Sequence, residues 1–420
     1  MLVKGGRVVD PSQPLDALRD VRVRGGIIVE IGEHLEAEDG DVVVDATGAA
    51  VAPGFIDMHV HLREPGYPEK ETIATGTEAA VRGGFTAVSC MPNTNPALDT
   101  PEVLATLRAI VERDARCRVY PIAAITLGRA GEALVDFDAL GQAGAVGFSD
   151  DGNTVMNARV LRDAAFAARN LRAPFISHAE DECLKGAGVM NEGPVSHMLG
   201  LPGSPAVAED VIVARDLLIA ADARKPWHIA HLSTRGALEA LLHARASGAK
   251  ATAEVTPHHL LLSDESVAKL GPAAKVNPPL RFENDARALR VAVRNGEIEA
   301  LATDHAPHTA AEKSGDMTSA AVGFSGLEVA IGAYALALPD VPLLRFVAMV
   351  STNPARILNV PGGTLRVGSI ADITIFVERE WIVDPTTFAS KGKTTPFAGY
   401  KMPRRVLATI VGGEMRYSAR

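Results

Sequence analysis

Two histidines one residue apart close an apolar run, Phe55-Ile56-Asp57-Met58-His59-Val60-His61. Side chains of an extended chain alternate with a period of two, so His59 and His61 share a face. Paired imidazoles suit a divalent cation. Alone the pair says little, because 12 histidines in a chain of this length yield roughly 0.3 such pairs by chance. Two hydrogen-bonded histidines at a strand end would give the same text. The pattern recurs, however: apolar runs also end at Asp151 in Gly147-Phe148-Ser149-Asp150-Asp151-Gly152, at His178, at His231 and at Asp304. Four imidazoles and two carboxylates are what one or two Zn²⁺ ions require, with a position left for water. Structural zinc sites more often use cysteines at local spacing. Cys90, Cys117 and Cys183 are widely separated, so a catalytic centre is the expectation.

These six side chains come from distant places, and the elements between them must bring them together. Strand-like segments fall at 55–61, 85–92, 119–125, 146–150, 174–178, 227–231, 251–257 and 300–304. Helical patterns at 71–82, 101–114, 157–170, 205–221, 234–246 and 284–295 lie between them. Eight parallel strands joined by helical crossovers predict an α/β fold, a (β/α)₈ TIM barrel, with its working residues at the C-terminal strand ends. A doubly wound open sheet is the alternative, but no Gly-x-Gly-x-x-Gly follows the first strand. Residues 1–52 read instead as short alternating strands broken by Gly-Gly turns: Arg7-Val8-Val9, 20–26, 27–32 and 41–45. The same grammar returns at 364–368, 371–376 and 405–413. Small hairpins are seldom stable alone. The expected organisation is therefore a barrel over 53–360, with 1–52 and 361–420 combining into a small, antiparallel, β-sandwich-like domain.

Composition narrows the function classes. The net charge of −9 is spread along the chain, with no basic run to neutralise phosphates and no acidic tail, so nucleic acid and membrane surface are poor partners and a small molecule is a good one. Three unclustered cysteines argue against a disulfide framework and for a reducing compartment. Met1-Leu2-Val3-Lys4-Gly5-Gly6 lacks the apolar core of a signal peptide, and no run reaches the ~18 residues of a membrane span. A cytoplasmic location is expected. Cys90 reads as small apolar filling within a strand. His258 and His259 read as structural or supporting residues, and His34, His197, His228 and His243 as ordinary surface or packing residues.

Four motifs narrow the reading further. Gly54-Phe55-Ile56-Asp57-Met58-His59-Val60-His61 and Thr303-Asp304-His305-Ala306-Pro307-His308 resemble the amidohydrolase superfamily. With His61-Leu62-Arg63-Glu64-Pro65-Gly66, Met91-Pro92-Asn93-Thr94-Asn95-Pro96 and Ser149-Asp150-Asp151-Gly152, the chain is similar over essentially its whole length to dihydroorotases of the longer bacterial class. The resemblance implies reversible closure of N-carbamoyl-L-aspartate to L-dihydroorotate, one or two zinc ions, and a homodimer or an assembly with aspartate transcarbamoylase. One departure is informative. Relatives of this type often bridge their metals with a carboxylated lysine near the end of strand four, yet no lysine occurs between Lys70 and Lys185. Asp151 is the natural replacement. Asp150 is the alternative, although successive residues of an extended strand point oppositely.

The chemistry follows from charge. A bound divalent ion lowers the pKa of water to ~7 and polarises the carbonyl under attack. Asp304 is the candidate for proton transfer between that water and the ring nitrogen; the alternative is a metal ligand with no proton role. His305, next along the strand, should point away from it. Arg63 lies two residues past His61 and stays on its face if the strand remains extended, so its guanidinium can clamp the substrate carboxylate. The alternative for Arg63 is a surface ion pair with Glu64 or Glu69. Asn93 can donate to the same carboxylate. By resemblance, His61, Asn277 and His308 would also contact substrate, and the backbone at Val322 and Gly323 would meet the ring amide. Residues 309–322 have no apolar periodicity and are expected to form a lid that is mobile without ligand. Competing readings are a dihydropyrimidinase, hydantoinase or allantoinase, none of which needs an arginine for a ring carboxylate, and an inactive subunit scaffolding aspartate transcarbamoylase, which would lack metal ligands.

Overall fold

The computed structural model describes residues 1–419. Eight parallel strands, Phe55–Val60, Phe85–Cys90, Arg118–Ala123, Gly147–Phe148, Phe175–Ser177, Trp227–Ile229, Ala251–Val255 and Ala300–Leu301, pair in sequence order. The last returns to the first through the Val60–His305 bridge and a 2.8 Å bond from His61 N–H to His305 O. The result is a (β/α)₈ barrel. Each strand occupies its expected place, and those followed by His61, Asp151, His178, His231 and Asp304 leave the ladder before that residue. Past the last ladder bond the backbone is free to turn, and three residues there take positive φ: Arg63 (66°), His231 (33°) and Asp304 (49°). Such conformations cost of order 1–3 kcal/mol each and persist where the surroundings fix them.

The crossover helices form where caps and faces allow. Ile73–Arg82 starts at Thr72, whose hydroxyl accepts from Thr75 N–H while Thr75 answers to the Thr72 backbone, a capping box. Pro101–Asp114 begins with proline behind a Thr100 cap. Phe137 of the helix Phe137–Gln142 packs against Phe148 and Phe175 of the fourth and fifth strands, and Phe175 against Phe148 and Trp227 of the sixth, rings 5.1–6.0 Å apart. Met58, Met91, Ile122, Ile176, Ala230 and Ala300 come from six different strands or their continuations and pack with Leu358 to fill the inside of the barrel.

The terminal segments share one eight-stranded sheet. Ala50–Pro53 pairs with Leu2–Asp10 on one side and Ile373–Ile382 on the other, then runs directly into the first barrel strand. Two-residue turns Gly25-Gly26 and Gly412-Gly413 connect its hairpins, all four glycines at φ between 56° and 82°, the geometry that matches strand twist and that side chains resist. Two expectations need correction. The sheet is mixed, because Val43–Asp45 and Ala50–Pro53 run parallel to Leu2–Asp10. Residues 364–368 form a turn and not a strand: the Leu365 N–H and the Thr364 hydroxyl donate to Asp10 Oδ2, so side-chain bonds replace a ladder. Among the described residues no helix is long and apolar enough to cross a membrane.

Candidate active site

The six polar strand-end residues converge at one mouth of the barrel. His59, His61 and Asp151 offer ligand atoms within 4.8 Å of one another, and so do Asp151, His178 and His231, so Asp151 belongs to both groups. Asp151 Oδ1 lies 3.3 Å from His59 Nε2, 3.6 Å from His178 Nδ1 and 3.8 Å from His231 Nε2, and Oδ2 lies 3.6 Å from His61 Nε2. Asp304 Oδ1 sits 3.2 Å from His61 Nε2 and 3.6 Å from His59 Nε2. A bulge between Asp57 and Val60, opposite Val88 and Cys90, interrupts the two-residue period here. The imidazoles still meet, with ring centroids 5.3 Å apart.

The donor set fits divalent cations. His59 Nε2 and Asp151 Oδ1 are buried and have no hydrogen-bond partner among the described residues, an expensive state for polar atoms unless something else binds them. Protons feel the same pull that a cation would. Burial favours neutral imidazoles, yet the carboxylates of Asp151, Glu254 and Asp304 together outweigh it and hold His59 well above its ordinary value. His178 is pushed up to about 9 in the same way, by Asp151 and Glu180 against burial. Burial would raise Asp151, but His59, His178 and His231 hold it well below the carboxylate range.

Asp150 is committed elsewhere. Its Oδ1 accepts from Ile125 N–H at 2.8 Å and Thr126 N–H at 3.1 Å, and its Oδ2 from the Thr126 hydroxyl. The two neighbours therefore separate cleanly on mutation. Asp150→Asn is expected to destabilise the fold by about 1–3 kcal/mol through unmatched buried donors while the purified protein keeps its metal. Asp151→Asn is expected to lose metal with little change in unfolding midpoint. Elemental analysis and denaturation of both variants check this, and the reversed pattern would move the shared carboxylate to Asp150.

Beside the cluster lies a cavity of about 310 Å³ lined by His61, Arg63, Asn93, Asp151, His178, His231, Asn277, Asp304, His308, Val322 and Gly323, among others. Every substrate-contact candidate from the sequence opens onto it. Arg63 arrives by another route than the one expected: the strand does not stay extended, and positive φ at Arg63 turns the side chain inward. Its Nε donates to Pro307 O at 3.2 Å and its Nη2 lies 3.2 Å from His308 Nε2. Among the described residues Arg63 forms no ion pair, with Glu64, Glu69 or any other carboxylate, although it is only 9% exposed. Burial lowers its pKa, and burial with the Arg63 charge pushes His308 down to about 4. The cavity thus holds one guanidinium beside a neutral imidazole.

Two amides are oriented by their partners. His61 Nδ1 lies 2.8 Å from Asn93 Oδ1, which leaves the Asn93 N–H groups to donate into the cavity. Asn277 Nδ2 donates to Glu180 Oε2 at 3.2 Å, which leaves its oxygen to accept. Residues 309–322, expected as an irregular lid, contain a capped helical turn, Ala310–Lys313. Lys313 Nζ donates to Ala321 O at 2.8 Å, Lys275 Nζ to Ala320 O at 2.7 Å, and Val322 O lies 2.8 Å from His308 Nε2. A larger hollow of about 500 Å³, between Arg82, Glu328, Trp381 and Tyr417, holds none of these residues.

Several functional neighbours carry no motif. His228 is not an ordinary packing residue: it is fully buried, 3.2 Å from Glu254 Oε2 and 2.7 Å from Thr252 Oγ1. Glu254 in turn lies 2.9 Å from His59 Nδ1. The available signal was a carboxylate inside a buried strand, Ala253-Glu254-Val255, where an acid must be paired. His258 and His259 lie on the short helix Pro257–Leu261, just past strand seven; His259 bonds Thr256 Oγ1 and Pro278 O. His305 points away from Asp304, with Nδ1 accepting from Gly326 N–H at 3.1 Å. His34, His197 and His243 are exposed.

Comparison with known proteins agrees with this geometry. Residues 48–237 match the family model described as dihydro-orotase-like. The protein named dihydroorotase from Pelotomaculum thermopropionicum is 48% identical over 419 residues, covering 99% of this chain and 98% of its own. One of the same name from Geobacter sp. (strain M21) is 44% identical over 422 residues, covering 100% and 99%. Among solved structures, an L-hydantoinase (dihydropyrimidinase) from Arthrobacter aurescens superposes with TM-score 0.88 at 23% identity, covering 99% of this chain and 95% of its own. A D-hydantoinase from Thermus sp. gives 0.84 at 25%, covering 99% and 94%.

Proposed function

The chain belongs to the dihydroorotase family and is a cyclic-amide hydrolase; from that premise we propose that it interconverts N-carbamoyl-L-aspartate and L-dihydroorotate in pyrimidine synthesis. The observation that carries the reading is a buried guanidinium without a counter-ion, Arg63, opening onto the same cavity as the Asp151-centred cluster. A hydrolytic centre explains ring opening in general; a carboxylate receptor beside it selects a ring that bears one.

His59, His61 and Asp304 with Asp151 would hold one ion, and His178 and His231 with Asp151 a second, both read as Zn²⁺ on the strength of an imidazole and carboxylate donor set. When bound, the metal supplies a water acidic enough to ionise near neutral pH and polarises the amide carbonyl. The remaining work belongs to the chain. Arg63 and the Asn93 N–H groups fix the substrate carboxylate, and the Asn277 oxygen and the backbone at Val322 and Gly323 meet the ring amide. His308 contacts the carboxylate end, and His61, its Nδ1 held by Asn93, borders the reacting carbonyl. In ring opening Asp304 takes the proton of the attacking water and passes it to the leaving ring nitrogen; in closure it returns that proton.

The test is the change in dihydroorotate absorbance with purified, metal-loaded protein; no interconversion in either direction would overturn the proposal. Dialysis against a strong chelator is expected to abolish turnover, and two equivalents of Zn²⁺ per chain are expected to restore it. Restoration complete at one equivalent would reduce the working centre to a single ion. The same kinship supports a cytoplasmic enzyme that is a homodimer or assembles with aspartate transcarbamoylase, which sedimentation alone and with that enzyme reads out.

A further inference from the structure

Both nitrogens of His59 have assignments. Nε2 faces Asp151 Oδ1 at 3.3 Å and Asp304 Oδ1 at 3.6 Å, while Nδ1 lies 2.9 Å from Glu254 Oε1. Glu254 comes from the middle of the seventh barrel strand, Ala251–Val255, and is 1% exposed. Its second oxygen lies 3.2 Å from Nε2 of His228 on the sixth strand, and His228 Nδ1 lies 2.7 Å from Thr252 Oγ1. Thr252, His228, Glu254 and His59 thus form a chain of contacts across three strands, buried except at Thr252. None of the first three lines the cavity, so none touches substrate there.

A neutral imidazole carries one N–H and one lone pair, and an ionised carboxylate only accepts. In the neutral ring that a bound cation requires, contact with Glu254 therefore places the His59 proton on Nδ1 and leaves the lone pair at Nε2 on the side of Asp151. Rotating the ring would give up that bond. The second carboxylate oxygen of Glu254 lies at ion-pair distance, without a hydrogen bond, from His228 Nε2. The His228 ring is fixed by the contact of its Nδ1 with Thr252 Oγ1, so His228 packs against Glu254 on the side away from His59.

We propose that Glu254, seated by His228 and Thr252, is the positioning residue for His59, fixing its tautomer and ring angle and thereby the divalent-cation affinity of the group formed by His59, His61 and Asp151. The proposal rests on reading that group as a metal site. Partners of this kind are worth 10–100-fold in metal affinity.

The experiment measures Zn²⁺ affinity of the full chain by competition with a chromophoric chelator, without substrate. Glu254→Gln keeps the shape and removes the charge; it is expected to weaken one of two bound ions by about 10–100-fold and to leave the ion held by His178 and His231 nearly unchanged. His228→Asn is expected to weaken the same ion by less. In a His59→Asn background, which has no imidazole left to orient, Glu254→Gln is expected to add nothing. Unchanged affinity in Glu254→Gln, or an equal loss with and without His59, would overturn the proposal, the second because general loosening of the barrel would explain it. If Glu254→Gln does not fold, His228→Asn decides: loss of one ion supports the proposal and wild-type affinity refutes it. A wild-type chain that binds zinc but leaves dihydroorotate untouched would sink the functional reading and leave this one standing.

Discussion

Asp304→Asn is expected to lower kcat by about 10²–10⁴-fold in both directions, the usual contribution of a positioned general acid–base, while the protein keeps most of its metal. Asparagine has the same shape and still offers an oxygen to His61 and His59, so the cluster keeps its packing. It cannot accept a proton. Burial alone would raise the Asp304 carboxyl, but His61 and His59 hold it well below the ordinary carboxylate range, so it is ionised at neutral pH and has a lone pair free to accept a proton. Positive φ at Asp304 turns it into the cavity mouth. Metal content measured beside kcat separates the two roles. A variant that loses its metal and recovers full turnover in excess Zn²⁺ makes Asp304 a ligand alone; turnover within tenfold of wild type with metal retained removes it from the chemistry.

Much of this site is legible in the sequence because parallel strands buried on both faces read as apolar runs. A polar side chain at the end of such a run stands out, and His59, His61, Asp151, His178, His231 and Asp304 all do so. Asp150 and Asp151 also separate, but not by strand alternation: both lie past the strand Gly147–Phe148, and Asp150 is turned away by its bonds to Ile125 and Thr126. What the sequence hides is whatever depends on contacts between distant strands. Glu254 and His228 sit within their strands, and only the pairing of strand six with strand seven brings them together. Arg63 opens onto the cavity, but by a route that the extended-strand argument does not give, because the backbone turns at positive φ. Periodicity fails where a chain leaves its ladder, and functional residues concentrate there. Residues 309–322 illustrate a further limit: no apolar face marks them, because two buried lysines donating to backbone carbonyls hold them instead.

Arg63→Met is expected to lower kcat/KM for carbamoyl aspartate and dihydroorotate by roughly 30- to 5000-fold, mainly through KM. Losing one partner of a buried, hydrogen-bonded charge pair costs about 2–5 kcal/mol, and each 1.36 kcal/mol is tenfold. The guanidinium is already desolvated and held by Pro307 O, with no carboxylate of the protein in ion-pair contact with it, so a substrate carboxylate bound there would meet a preformed receptor and little of the attraction would go into ordering it. Methionine fills similar volume and removes the charge. Asp304 and the histidine cluster are untouched, which is why kcat should change far less than KM. Dihydrouracil, the same ring without the carboxylate, supplies the control: its turnover, however slow, should be no worse in the variant, because there is no anion to lose. The ratio of the two substrates' kcat/KM therefore isolates Arg63's part in specificity from any damage to the hydrolytic centre. If both substrates fall equally, Arg63 supports the site and does not select the ring. If neither falls, the centre belongs to a hydrolase of uncharged cyclic amides, the chemistry named for the hydantoinases that share this fold.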